Sequence, residues 1–146
     1  MSKVFNTTFE TSLRVLLNLY TTKNKGKTID TIAAYDFITI YSSNFTMSDI
    51  NLHGDNELSF SEFATKRYLV GKSIKSLVLD NLVSVSKGKN GFYFYITKNG
   101  IKLCENMNTE YADSYVELCK LTYKYLQCKT EKEILDLIRK KSMGKL

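Results

Sequence analysis

The sequence contains a single histidine, and it lies where acid–base or metal chemistry would be easiest to build. His53 opens the run His53-Gly54-Asp55-Asn56, and Asp49 and Glu57 stand four residues to either side of it. A carboxylate beside an imidazole can act as a general acid–base pair or join a metal site. A metal site needs further nitrogen or sulfur ligands, however, and this composition is typical of a turn. We interpret His53 as a loop histidine and predict no catalytic residue and no bound metal.

The cysteines suggest no other chemistry. Cys104, Cys119 and Cys128 are odd in number and show no C-x-x-C spacing. We interpret them as reduced, mostly buried thiols rather than as disulfide partners or zinc ligands. The sequence also has no P-loop, nucleophile elbow or glycine-rich phosphate cradle. We therefore predict that the protein is not an enzyme and has no cofactor.

The length of 146 residues fits one domain with a real hydrophobic core. We predict a winged-helix-like part at about 5–107 and a helical extension at about 109–141. No apolar run approaches the roughly 20 residues that span a bilayer. The first ten residues lack the layout of a signal peptide, so we expect a cytoplasmic protein with no membrane partner.

The positive charge is concentrated in one segment. Of the 21 basic and 15 acidic residues, residues 61–103 carry 8 and 2, for a net of +6, while 1–60 carry 5 and 6 and 104–146 carry 8 and 7. Such a basic patch suits nucleic acid, an acidic protein partner or plain solvation. If nucleic acid binds, lysines favour contacts to phosphate. The predicted binding residues, all expected to be exposed, are Lys66, Lys72, Lys75, Lys87 and Lys89.

Three other charged residues are predicted to have structural roles. Arg67 lies four residues after Phe63 and three before Val70, on an apolar stripe. We expect it to be buried and paired with an acid such as Asp36. Arg14, on the first predicted helix, completes the set.

The stretch from Ser61 to Gly100 predicts a helix, a hairpin and a second helix. Apolar residues recur with helical spacing up to Val78, and Asp80-Asn81 is a plausible helix end. Strands are predicted at Leu82–Ser86 and Phe92–Thr97, around a turn whose Asn90-Gly91 suits two residues with positive φ. Thr97 then caps the next helix. This order predicts a mainly α fold with a small β-hairpin, a winged helix-turn-helix-like domain with additional C-terminal helices.

The remaining helices are predicted from their caps and apolar periods. Thr7 or Thr8, Thr28, Thr109 and Thr130 each precede an amphipathic stretch. The helix after Thr109 carries two apolar stripes, which predicts a central core helix or one covered in part by another subunit. Residues 45–60 show no period, and a connection near 18 residues is far longer than the 3–4 of an ordinary helix-turn-helix.

The order and spacing of several short segments form a pattern that begins at Phe5-Asn6 and Glu10 and covers nearly the full length. It continues through Leu13–Leu17, Ile32–Phe37, Tyr41-Ser42, Leu52-His53, Ser61-Glu62-Phe63, Lys66-Arg67, Leu69-Val70 and the Leu77–Val83 segment. In this order and spacing the chain resembles the middle component 2 family of bacterial ABC-three-component systems. Lys66 departs from the family pattern, in which an arginine pair is common there.

The resemblance implies a non-catalytic accessory subunit of a bacterial anti-phage defence complex. Its partners would be an ABC/SMC-type ATPase subunit and an effector subunit, with DNA as a further partner through phosphate contacts. The winged-helix pattern by itself would also suit a free-standing DNA-binding transcriptional regulator. These are expectations, and the sequence leaves the oligomeric state open.

Overall fold

A computed structural model describes residues 8–45 and 60–142. Six α-helices and one two-stranded sheet lie within these residues. They are α1 (Thr8–Thr21), α2 (Ile29–Ile40), α3 (Phe60–Leu79), β1 (Val83–Gly88), β2 (Gly91–Ile96), α4 (Lys98–Glu105), α5 (Glu110–Leu126) and α6 (Glu131–Ser142), with a short 3₁₀ turn at Ser42–Phe45. The predicted mainly α fold with a small hairpin is confirmed, while the likeness to a winged helix remains a prediction. His53 and its acidic neighbours lie outside the described residues.

The helices begin where threonines can cap them. Thr28, Thr97 and Thr109 each accept a hydrogen bond through their side-chain oxygen from the backbone N–H three residues later, at 3.1–3.2 Å. Thr130 forms a capping box: its hydroxyl oxygen accepts from the Glu133 N–H at 3.2 Å, and its own N–H donates to Glu133 Oε1 at 2.8 Å. These four predicted caps are confirmed.

Helix α3 ends at the predicted place. Asn81 adopts a left-handed conformation with φ 60°, and the N–H groups of Asn81 and Leu82 donate to the carbonyls of Val78 and Leu77 at 3.1 and 3.0 Å. This is the Schellman arrangement, in which asparagine is the commonest substitute for glycine. It turns the chain directly into β1.

The hairpin turn differs from the prediction by one residue. Gly88 pairs with Gly91, so Lys89-Asn90 forms the loop, and Gly91 alone has a positive φ, of 121°. Asn90 was wrongly expected to share that conformation. The strands are accordingly shifted slightly from the predicted Leu82–Ser86 and Phe92–Thr97.

Helix α4 is attached closely to the end of α3. The Thr97 hydroxyl donates to the Asn81 carbonyl at 2.8 Å, and the Thr97 N–H donates to the Leu82 carbonyl at 3.1 Å. A Cβ at Gly100 would lie 2.4 Å from that same Leu82 oxygen, so only glycine permits this approach. The step from Ile96-Thr97 to Gly100 therefore fixes the hairpin between two helices.

The core is centred on α1 and α2 rather than on α5. Every residue from Ile32 to Ile40 is buried, and α1 is buried from Arg14 to Leu19. The two predicted stripes of α5 merge into one buried face, made of Ala112, Tyr115, Cys119, Thr122 and Leu126. Leu121 and Tyr125, in contrast, are 44% and 39% exposed. None of the helices described is long and apolar enough to cross a bilayer.

Candidate docking surface

The structure brings four helices together around one buried carboxylate. Asp36 on α2 is fully buried, and its Oδ1 accepts hydrogen bonds from Arg14 Nε on α1 at 3.0 Å and from the Tyr115 hydroxyl on α5 at 2.7 Å. Burial opposes the charge on Asp36, but the Arg14 and Lys66 cations and these hydrogen bonds outweigh it and lower the pKa of the carboxyl. Asp36 is therefore a buried anion that ties helices together.

Lys66 on α3 interacts electrostatically with this centre, which corrects the sequence prediction. It was expected to be an exposed binding lysine, yet it is only 2% exposed. Burial lowers the pKa of its ammonium, and the nearby Asp36 carboxylate partly restores it. Lys66 therefore belongs to the core and not to a binding surface.

Arg67 is exposed at the surface, as Lys66 was expected to be. Its side chain is 52% exposed and pairs with Asp30 at the start of α2. The prediction that Arg67 is buried and paired with Asp36 is therefore wrong. The buried partner of Asp36 is Arg14, whose guanidinium is fully enclosed.

Further hydrogen bonds extend the buried polar centre along α5. The Tyr123 hydroxyl donates to Asn18 Oδ1 at 2.9 Å, and Thr39 and Thr122 share a bond of 2.9 Å. Asn18 Nδ2 reaches the Tyr115 hydroxyl at 3.5 Å. Because these polar side chains bond to one another across helix interfaces, the network specifies how α1, α2 and α5 pack.

The other four predicted lysines are exposed, as expected. Lys72 and Lys75 lie on α3, Lys87 lies near the end of β1 and Lys89 lies in the hairpin loop. Lys72 and Lys75 share one stripe of α3 with Tyr68 and Leu79, since these four residues are spaced by four, three and four. The Lys72 ammonium lies 5.5 Å from the centre of the Tyr68 ring.

The hairpin carries apolar side chains beside these lysines. In the sheet Val83 pairs with Ile96, Val85 with Phe94 and Lys87 with Phe92, so all six side chains share one face. Val83 and Ile96 are buried, but exposure rises along the face to 47% at Val85 and 58% at Phe92. The outer half of this face therefore extends beyond the core.

Between α3 and this face lies a groove that we call the helix–hairpin groove. Its lining is Ile74, Lys75, Val78, Leu79, Val85 and Phe94. Leu79 is 82% exposed, the highest value among the large apolar side chains described. Sequence reasoning missed Leu79, Val85 and Phe92 as surface residues. The sequence did contain one signal for Leu79, which lies four residues after Lys75 and so continues the stripe of lysines on α3.

Within residues 8–45 and 60–142, the cysteines and acidic side chains bear on the predictions about metal ligands and thiols. No group of three or more histidine, cysteine, aspartate or glutamate side chains there could hold a metal ion. Burial raises the pKa of the Cys104 and Cys119 thiols to about 12, which keeps both protonated, while Cys128 is exposed.

These features define a small helical protein with a rigid polar core and an exposed apolar and basic surface. The family model described as ABC-three component (ABC-3C) system Middle Component 2 matches residues 4–145. The chain belongs to this family, which confirms the resemblance seen in the sequence and makes it one component of a multi-component system. No curated protein matches the chain. No solved structure matches it either.

Proposed function

We propose that this protein is a non-catalytic accessory subunit that links an ABC/SMC-type ATPase to an effector in a bacterial anti-phage defence complex. The observation that carries the proposal is the family match over residues 4–145, because a middle component is defined by the components it works with. The protein then acts by holding partners in a fixed arrangement. It acts in the cytoplasm, as a single domain.

The interior supports a structural role for its reactive groups. The Arg14 guanidinium and the Tyr115 hydroxyl both donate to the Asp36 carboxylate, and all three side chains are fully buried. A general acid or base must reach the group with which it exchanges a proton. These groups cannot reach a substrate in this arrangement, whereas they do hold α1, α2 and α5 in a fixed relation.

Reconstitution from purified components tests the linking role. The ATPase and effector encoded beside this gene would be mixed with and without the protein and separated by size-exclusion chromatography. We expect one complex with all three components, and no association of the ATPase with the effector when the protein is left out. Association that is equally tight without it, or hydrolysis of nucleotide or nucleic acid by the isolated chain, would refute the proposal.

The exposed lysines favour one second candidate. Lys72, Lys75, Lys87 and Lys89 lie on the helix and hairpin that would approach DNA in a winged-helix protein. A free-standing DNA-binding regulator would therefore bind a duplex from its own upstream region. Each neutralised phosphate would add about 0.9 to the slope of log affinity against log salt. A gene without neighbouring ATPase and effector genes would favour this candidate.

A further inference from the structure

The helix–hairpin groove has a buried apolar floor and exposed apolar walls. Its floor is buried, with Ile74 at 1% and Phe94 at 8% exposure, whereas Leu79 and Val85 on its two walls are 82% and 47% exposed. The groove has a volume of about 400 Å³. An exposed apolar patch of this kind typically marks an interaction site, because covering it removes apolar surface from water.

The helix and the hairpin that form the groove carry mostly positive charge. Between Tyr68 and Tyr95 the chain carries Lys72, Lys75, Lys87 and Lys89 but a single acid, Asp80. Asp80 lines a different groove, the one between α1 and α4 that includes Phe9 and Leu103. The helix–hairpin groove therefore has an apolar centre and a cationic rim, and an occupant that fits must carry apolar side chains next to carboxylates.

One observation favours a protein over nucleic acid as the occupant. Exposed leucine and valine side chains gain little from a phosphate backbone, which dominates the affinity of proteins for DNA. Beside the groove lies a pocket that shares Phe94 with it and is lined by Asp30 and Glu131. The carboxylates of an occupant are therefore expected along the lysines of α3 and away from this pocket.

We infer that the helix–hairpin groove binds a short segment of a partner protein that places apolar side chains between Leu79 and Val85 and carboxylates against Lys72, Lys75 and Lys87. The inference rests on the proposed function, since the partner is the ATPase or the effector of the same system. It adds the surface that one of them occupies and the chemistry of the segment that docks there.

Two sets of neutral substitutions separate the apolar contribution from the charge. Leu79→Gln with Val85→Thr makes the walls polar and suits the local helix and strand. Lys72→Gln, Lys75→Gln and Lys87→Gln remove the cationic rim. All these side chains are exposed, so the variants should unfold in urea like the wild type. One matched control is Leu121→Gln with Tyr125→Gln on α5. The other combines Lys98→Gln and Lys102→Gln on α4 with Lys124→Gln on α5.

The variants would be titrated against the purified ATPase, the purified effector and a 20-base-pair duplex. For one of the two proteins we expect the apolar variant to lose affinity about 30-fold or more and the lysine variant about 5-fold or more, the latter only at low salt. The controls should bind like the wild type.

Three results would overturn the inference, each in a distinguishable way. If a component binds the wild type and both variants equally tightly, the groove is not its binding site, and the proposed function stands. Binding of neither component by the wild type would remove the proposed function and the inference together. The surface would be a nucleic-acid site if the lysine variant lost duplex binding, the apolar variant kept it, and neither variant lost protein binding.

Discussion

The helical core and the helix–hairpin groove distribute polarity in opposite ways. The core encloses charged side chains, with Arg14 and Asp36 both fully buried, while the groove exposes Leu79 and Val85 to water. In the core Arg14 and Tyr115 both donate to Asp36 across helix interfaces, so the network specifies internal packing. In the groove the apolar side chains have no such cover, which favours association with a partner.

The strongest test of this contrast compares two lysines on α3. Lys66→Glu places a second carboxylate beside buried Asp36 and should lower the free energy of unfolding by about 4 kcal/mol or more. Lys72→Glu makes the same change of charge at an exposed position and should change the free energy of unfolding by about 0.5 kcal/mol or less. Urea unfolding measures both, and similar losses in the two variants would contradict the burial of Lys66.

Removal of the central anion should have the next largest effect. Asp36→Asn leaves the Arg14 guanidinium buried without its counter-charge, which should cost about 3–5 kcal/mol of stability. Because the pKa of Asp36 is lowered by folding, its contribution is present above the unfolded carboxyl pKa and is lost as pH falls through the folded one. The difference between wild type and Asp36→Asn should therefore shrink in acid. Asp80→Asn, at an exposed carboxylate, is the control and should change little.

A third test concerns a buried lysine that the sequence did not reveal. Lys27 is 6% exposed, its ammonium lies 4.6 Å from the centre of the Tyr123 ring, and its backbone pairs with Phe94 at 2.9 and 3.1 Å. Burial lowers the pKa of Lys27 from 10.5 to about 8. The unfolded chain then binds more protons between these pH values, so this group makes stability rise with pH across that window.

Lys27→Met keeps the backbone pairing and removes the titrating group. The variant should be more stable than wild type by about 3 kcal/mol at pH 7, an advantage that fades between pH 8 and 10.5. Urea unfolding across this range measures it. Lys25→Met, the same substitution two residues earlier at an exposed site, is the matched control. A constant difference between wild type and Lys27→Met would refute the assignment.

The smallest effect is expected at the exposed ion pair. Arg67 and Asp30 are 52% and 35% exposed, so their coupling energy in a double-mutant cycle with alanine should be about 1 kcal/mol or less and should weaken in salt. The same cycle on Arg14 and Asp36 should give a larger and salt-insensitive value. Equal coupling in the two cycles would remove the distinction between core and surface charges.

Much of the fold could be predicted because its boundaries depend on neighbours in sequence. Thr28, Thr97, Thr109 and Thr130 cap helices through bonds to residues three positions away. Asn81 ends α3 because asparagine tolerates the left-handed conformation. The hairpin was recognisable from its glycines and aromatic strand, although the loop was misplaced by one residue.

The sites were harder to predict because a helix period does not fix which residues face the core. Lys66 and Arg67 both lie near the apolar stripe of α3. A helix turns by about 100° per residue, so each residue has an angular position around the helix axis. Measured from the mean position of the buried residues of α3, Ser73 included, Lys66 lies roughly 35° away and Arg67 roughly 65° away. Only the packing of α3 against α1 and α2 decides that Lys66 meets Asp36 and that Arg67 meets Asp30.

The sequence by itself determined the helices, the hairpin and the concentration of positive charge after residue 60. Those properties follow from local hydrogen bonding, periodicity and composition. Tertiary structure alone decided that Arg14, Lys27 and Lys66 are buried and that Leu79 and Val85 are exposed. The reason is that burial depends on which surfaces meet in space. Asp36 and Tyr115, for example, are 79 positions apart and must come together before the Asp36 charge can be enclosed.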